Sequence, residues 1–412
     1  MNGASATWGE IGSVAVNART RAAGPFVLLA ASVAAFLVLC ALEAVPMADV
    51  LVYRAEGAAV LAGGGDLYGF AVTEWQLPAT YPPFAALLFV PAAVVPLSAL
   101  KGAFLLGNIA LVVVLVRLSC RFAGPRVSWA GVCGVAALAL WLEPVFQTVL
   151  FGQINLALAC LILWDLTRPP GASGKGLALG IATGIKLTPA VFIVYLFLAG
   201  RRREAAHAVA GFVGTVAVGA LVLPYASGEF WTRRLYETGR VGKAWIVDNQ
   251  SLQGLVARVL HDAEPGLLWA VPALVVAVAG LYAARTAGTP ARGVVLAALT
   301  ALLVSPISWS HHWVWCVPLI AVVWAEGRRR MAWALAALFT ARTMWLLPHE
   351  GDLDLHLAWW QQPLASAYPL VGVALLGGAV AGAHSTSQPA PGGTNQAPPA
   401  IEARSPGRSP VA

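Results

Sequence analysis

Four groups of polar residues interrupt or border long apolar runs in this 412-residue chain. Asp49, Tyr53 and Arg54 ("DVLVYR") follow the first such run, and Glu143, Gln147, Gln153 and Asn155 punctuate "EPVFQTVLFGQIN". Lys186 lies in "GIKLTP", and Ser305, His311 and His312 lie in "SPISWSHHW". Ionisable groups inside or beside apolar spans are costly to keep and mark functional sites by default. Their types imply a division of labour. A carboxylate takes a proton from a hydroxyl, while a lysine, arginine or histidine steadies a developing negative charge.

Each residue also has a purely structural reading. Asp49 suits the N-cap of the helix that follows it, and Tyr53 suits an interfacial anchor. Gln153 and Asn155 suit hydrogen bonds between helices. Lys186 can snorkel to an interface, although nearby Pro189 favours an irregular, site-forming backbone. His311 and His312 suit an aromatic belt; as consecutive residues they diverge by about 100° on a helix, which disfavours a shared metal. Asp66 in "GGGDLY" reads as turn chemistry, Glu143 as a helix-end residue, and Glu56 and Glu74 as solvated loop charges.

The elements that must position these groups are membrane spans. Hydrophobic residues make up 59% of the chain and charged residues 11%, against about 25% charged in soluble domains. The expected fold is an all-α polytopic membrane protein with about 10–12 transmembrane helices, some broken or re-entrant. Candidate spans cover 25–45, 82–100, 102–119, 127–145, 149–166, 176–199, 204–224, 266–286, 291–309, 311–326, 331–348 and 364–382. The net charge of +7 falls in clusters such as Arg117/Arg121/Arg126, Arg201 to Arg203 and Arg328 to Arg330, as the positive-inside rule requires rather than as nucleic-acid binding would. The five cysteines include no CxxC pair, so no disulfide framework or zinc site is indicated.

Three parts are expected: a cytoplasmic N-terminal segment 1–24, a transmembrane catalytic domain 25–383 and a disordered tail 384–412 rich in Pro, Ser and Gly. The run after Arg19 and Arg21 exceeds a signal-peptide core and reads as an uncleaved anchor with its N-terminus inside. Loops 46–80 and 225–265 then lie outside. Counting every span as a full crossing puts Arg117/Arg121/Arg126 and Arg168/Lys175 outside, against the rule. The conflict disappears if 81–100 dips in and returns and 176–200 is a broken hairpin with "IKLTP" at its tip. All four polar groups then gather at the external half of the membrane.

With "YPPFAALLFVPAAVVPL", which opens on Tyr81, "GQINLALACLILW" and "GIATGIKLTPAVFIVYLFLAGRRREAA", these stretches resemble, in order, the signature blocks of glycosyltransferase family 87 from about residue 48 to residue 313. These are actinobacterial polyprenyl-phosphate-mannose-dependent α-(1,2)-mannosyltransferases of the GT-C fold. The resemblance implies mannose transfer from a lipid phosphate to a phosphatidylinositol mannoside or lipomannan-type acceptor, at the outer face of the cytoplasmic membrane. It implies Asp49 as the catalytic base and His311 or His312 at a donor-phosphate or active-site position, which of the two staying open, with Tyr53 and Arg54 matching the residues that follow the base; together with Tyr81, Gln153, Asn155 and Lys186 these are the expected substrate-binding residues.

A β-linked donor giving an α-linked product implies one inverting displacement. The phosphate leaving group needs a fixed cation, for which Lys186, Arg54 and the histidines are the candidates. A lipid-linked donor carries no nucleotide diphosphate for a divalent ion to hold, so no metal or other cofactor is expected. Two other readings remain: a pentosyl (arabinofuranosyl) transferase with a related lipid donor, and a transporter or flippase, which would predict an internal repeat. The basic residues of "FWTRRLYETGRVGKAW" read equally as a headgroup-binding surface and as a solvated loop face.

Overall fold

The computed structural model describes residues 8–42 and 47–387. Its helices are α1 (Trp8–Leu42), α2 (Ala48–Leu61), α3 (Pro83–Val94), α4 (Leu97–Ala123), α5 (Trp129–Ala139), α6 (Glu143–Phe151), α7 (Asn155–Thr167), α8 (Leu177–Ile185) and α9 (Ala190–Leu198). They continue with α10 (Arg202–Val222), α11 (Pro224–Thr232), α12 (Leu252–Leu260), α13 (Leu267–Arg285), α14 (Pro290–Val304), α15 (Cys316–Ala325), α16 (Arg329–Thr340), α17 (Gln362–Ala365) and α18 (Ala367–Ser387). The only sheet among the described residues is a two-stranded hairpin, β1 (Ala71–Val72) with β2 (Leu77–Pro78). The protein is an all-α polytopic membrane protein. The expected tail beyond Ser387 and residues 1–7 lie outside the described residues, and α18 runs past the expected boundary at 383.

Among the described residues, four continuous helices are long and apolar enough to cross a bilayer: Ala23–Leu42, Leu97–Ala123, Arg202–Val222 and Leu267–Arg285. α5 and α6 add a fifth span if a bend of 80° is allowed within it. The remaining apolar helices are shorter. α14, at 15 residues, is about 22 Å long, less than the roughly 30 Å of hydrocarbon.

The run 82–100 is not one element. Pro96 takes the N-cap of α4, so 97–123 forms one continuous span and absorbs the segment expected at 102–119. What precedes it, α3, packs instead against α2. The pair is antiparallel, because Arg54 reaches the carbonyls of Ala92 and Val95 while Gly57 faces Phe89. Removing that crossing puts Arg117 and Arg121 at the end of the bundle reached by α4's C-terminus.

The run 176–200 breaks at Lys186–Pro189. Its first half runs parallel to α10: a Cβ built on Gly176 would stand 2.1 Å from the Glu204 carbonyl oxygen, one on Gly180 2.0 Å from that of Ala208, and one on Gly184 1.8 Å from Thr215 Oγ1. Only glycine permits backbones this close. Lys175, ahead of α8, lies 3.8 Å from Glu204 at the start of α10, and its carbonyl accepts from His207 Nδ1 at 2.9 Å. Since α8 and α10 both start at this end, α9 must return to it. The segment is a hairpin with Lys186 at its tip, and Lys175 shares one end with Arg201 to Arg203.

Candidate functional site

The tip of that hairpin borders a cavity of about 500 Å³. Asp49, Tyr81, Gln153, Lys186, Trp309 and His312 line it on one side, and Leu77, Pro78, Val191, Phe230, Leu235 and Ile307 give it apolar walls. Six separate pieces of chain supply the polar groups: the first turn of α2, the loop before α3, the turn joining α6 to α7, the α8–α9 break, the segment after α11 with Arg234, Glu237 and Thr238, and the 3₁₀ turn Ser310–Trp315 with the residues leading into it.

Asp49 is not a helix cap. Met47 holds that position, in a left-handed conformation at φ 50°, and no side chain caps α2. The Asp49 carboxylate instead accepts a hydrogen bond from Gln153 Nε2. The approach depends on Gly152, at φ 70°, where a Cβ would lie 2.3 Å from Val50 Cγ2. With no side chain there, α2 settles onto the α6–α7 turn. Gln153 Oε1 then accepts from Tyr53 Oη at 3.0 Å and from Tyr81 Oη at 3.1 Å. Tyr53 is wholly buried and stacks on Phe89 at 4.3 Å between ring centroids. It is thus a buried link in the network rather than an interfacial anchor.

Lys186 Nζ donates to Asn155 Oδ1 at 3.0 Å and lies 3.1 Å from His312 Nε2. An ammonium only donates, so His312 Nε2 accepts and its proton sits on Nδ1. Lys186 also stands 5.4 Å from the centre of the Tyr81 ring. The two histidines separate cleanly. His312 lines the cavity, whereas the His311 ring packs edge-on against Phe151 and its nitrogens find no partner. The main chain of His311 does the fixing: its carbonyl accepts from Thr148 Oγ1 at 3.0 Å and from Asn155 Nδ2 at 3.1 Å. Asn155 therefore joins Lys186 to the turn that presents His312.

Burial pushes the Asp49 carboxyl up to about 7. The Gln153 hydrogen bond and the Lys186 charge pull it down, and Asp248 adds a smaller push upward. A carboxylate poised near neutrality is well matched to general-base work.

Two expectations need correction, and one reading left open can be described. Arg54 does not reach the cavity; one residue on from Tyr53 it turns about 100° around α2, and Nη1 donates to the carbonyls of Ala92 and Val95. Glu56 is not a solvated charge but 1% exposed, one heptad from Asp49 on the same face of α2, and neither carboxylate oxygen has a hydrogen-bond partner. Burial, with the Asp49 charge second, holds it well above the usual carboxylate range. The basic residues of the 225–265 loop do not form a free cationic face. Arg233 and Arg234 pair with Glu237, Arg234 also with Glu229, Arg240 lies 3.8 Å from Glu237, and Lys243 bonds Asp352.

That loop contributes residues which the sequence reading passed over. Asn249 is fully buried and forms an antiparallel bridge with Trp309. Its side chain donates to Ala244 and Pro306 carbonyls and accepts from the Ser308 amide at 2.9 Å. Asp248 accepts from the Ser310 amide with both its carbonyl and its carboxylate. Arg258, also fully buried, donates to the carbonyls of Trp245, Ile246 and Asn249. The run "DNQS" thus sets the register of the strand leading to His312. Its signal was a set of consecutive polar residues with no charge run to explain them. Glu143, at the start of α6, accepts from Trp345 Nε1 at 3.0 Å and Tyr368 Oη at 2.8 Å, a structural tie away from the cavity.

Comparison with known proteins gives a consistent answer. The profile of glycosyltransferase family 87 matches residues 79–306, a stretch that contains Tyr81, Gln153, Asn155 and Lys186. The chain is 36% identical over 355 residues, 80% of its length and 82% of the relative's, to a polyprenol-phosphate-mannose-dependent alpha-(1-2)-phosphatidylinositol mannoside mannosyltransferase of Mycobacterium tuberculosis. It is 34% identical over 359 residues to the protein of the same description from Mycolicibacterium smegmatis, covering 78% of this chain and 80% of that one. A phosphatidylinositol pentamannoside mannosyltransferase of Mycobacterium tuberculosis is 36% identical over 316 residues, 73% of this chain and 72% of the relative. No solved structure matches. With a profile spanning more than half of its length and relatives this similar across most of theirs, the chain belongs to glycosyltransferase family 87.

Proposed function

We propose that this protein transfers mannose from polyprenyl-phosphate-mannose to a hydroxyl of a phosphatidylinositol-mannoside acceptor, forming an α-(1,2) linkage with inversion, at the outer face of the cytoplasmic membrane. The observation that carries the reading is the pairing, in one cavity, of a half-buried carboxylate with a fixed cation: Asp49 held by Gln153, and Lys186 held by Asn155 and His312. The names of the relatives supply donor and acceptor, and they favour mannose transfer over pentose transfer or transport.

In this mechanism Asp49 removes the acceptor hydroxyl's proton as that oxygen attacks the anomeric carbon. The bond from that carbon to the lipid phosphate breaks, and the phosphate leaves with its charge. Lys186 meets that charge as a point cation, with the His312 proton as a further donor if the ring turns over. A phosphate monoester leaves without prior protonation, so no general acid and no resident cofactor enters the reading. The apolar walls from Leu77 to Ile307 suit the polyprenyl chain.

The test is transfer from polyprenyl-phosphate-mannose to a phosphatidylinositol mannoside in detergent, comparing wild type with Asp49→Asn. Loss of transfer by a factor of about 10² to 10⁴, in a variant that still binds donor, supports the assignment. Equal activity would remove Asp49 from the chemistry. A wild type inactive with this pair, yet active with another lipid-phosphate sugar, would overturn the choice of mannose.

A further inference from the structure

The far end of the bundle holds a second cavity, of about 490 Å³, that the proposed reaction does not use. Leu335 and Leu338 of α16 face it from one side and Val371 and Leu375 of α18 from the other. Small residues leave the room: Ala374 lines it, and a Cβ built on Gly378 would meet nothing within 4 Å. Arg292 and Arg328 border the same space. Arg292 sits in the first turn of α14, whose last residue, Val304, borders the reacting cavity. The two lie twelve helical steps apart, or about 18 Å, so the two cavities open at different depths of the membrane.

The arginine end is built for an anion. Arg292 and Arg328 stand at the N-termini of α14 and α16, helices of 15 and 12 residues, and neither helix has an acid in its first turn. Two positive helix ends and two guanidiniums therefore add at one place. Arg329 and Arg330 follow, with Arg329 stacked on Trp324 at 5.2 Å. Glu326 offsets part of this charge, at 3.8 Å from Arg292, while Arg328 has no acidic partner among the described residues. Beyond the arginines the walls turn apolar, which a small inorganic anion would leave unused.

We infer that this groove binds an anionic phospholipid from the arginine-rich leaflet, with its phosphate between Arg292 and Arg328 and an acyl chain along α16 and α18. Basic pockets between membrane helices on the positive-inside face favour such headgroups. The inference does not depend on the sugar transferred or on the role of Asp49.

The test uses the whole protein, delipidated in detergent and titrated with phosphatidylglycerol or with phosphatidylcholine of the same chain length, read by native mass spectrometry. Wild type retains phosphatidylglycerol in preference to phosphatidylcholine. The double variant Arg292→Gln/Arg328→Gln loses roughly 30-fold in that retention, the effect of two basic contacts. Ala374→Phe, which fills the groove and leaves the charge alone, weakens both lipids. Equal retention of the two lipids by wild type overturns the inference, as does unchanged phosphatidylglycerol retention in both variants. Displacement by millimolar inorganic phosphate alone would make this an anion site with no lipid preference, which also overturns it. Should the arginine variant fail to fold, the wild-type lipid comparison and Ala374→Phe still decide.

Discussion

The amide of Gln153 donates to the Asp49 carboxylate across 104 positions of sequence, while its carbonyl oxygen accepts from both Tyr53 and Tyr81. One side chain thereby sets the direction of the candidate base. Replacing it with alanine leaves two buried tyrosyl hydroxyls competing for Asp49. Transfer by Gln153→Ala is expected to fall about 10- to 100-fold through misplacement, with donor affinity nearly unchanged; steady-state kinetics separate the two effects.

The same bond has a pH signature. Asp49 acts as a base only when ionised, so activity should rise with pH as the carboxyl titrates near 7. The Gln153 bond lowers the proton affinity of Asp49, so its removal should move the rising limb to higher pH. Gln153→Glu should move it further, by placing a second acid against the first. A limb that stays in place in both variants would assign it to some other group.

Lys186 meets a different test. Lys186→Met should reduce transfer by about 10² to 10³, the usual cost of removing a donor aimed at developing charge. Lys186→Arg should recover little, since a planar guanidinium cannot occupy the point between Asn155 Oδ1 and His312 Nε2 that the ammonium fills. Full activity in the arginine variant would show that net charge matters there and geometry does not. Single-turnover assays at saturating donor make the comparison.

Gly152 offers a control for position without chemistry. Gly152→Ala adds a Cβ 2.3 Å from Val50 Cγ2 at φ 70°, which should destabilise by about 1–3 kcal/mol and displace Asp49 from Gln153. Gly152→Ala/Val50→Ala removes the steric part and should regain some stability and activity. Thermal unfolding and transfer rate, measured on both variants, should move together.

Much of this arrangement was legible in the chain, and what was not has physical causes. Asp49 and Lys186 stood out because charge beside apolar sequence needs a reason, and Pro189 beside Lys186 announced the break in the hairpin. Arg54 and Glu56 misled because short-range sequence does not say which face of α2 is covered; that depends on α3, which packs there only because Pro96 starts a new helix. His311 and His312 were inseparable by type, and it took the 3₁₀ turn to send one ring toward Lys186 and the other against Phe151. Asn249 was invisible for a related reason: its partners at 244, 306 and 308 come from two loops that meet only in the folded molecule.

The seam between α8 and α10 has a consequence for how a turnover must be staged. With backbone pressed on backbone at Gly176 and Gly180, and Gly184 against the Thr215 side chain, the tip bearing Lys186 is mounted like a fixed post rather than a swinging arm. The lipid carrier has to travel to the charge. The height of that post then acts as a depth gauge: it stops the incoming phosphate at one level, and only a sugar hung at that level comes abreast of Asp49.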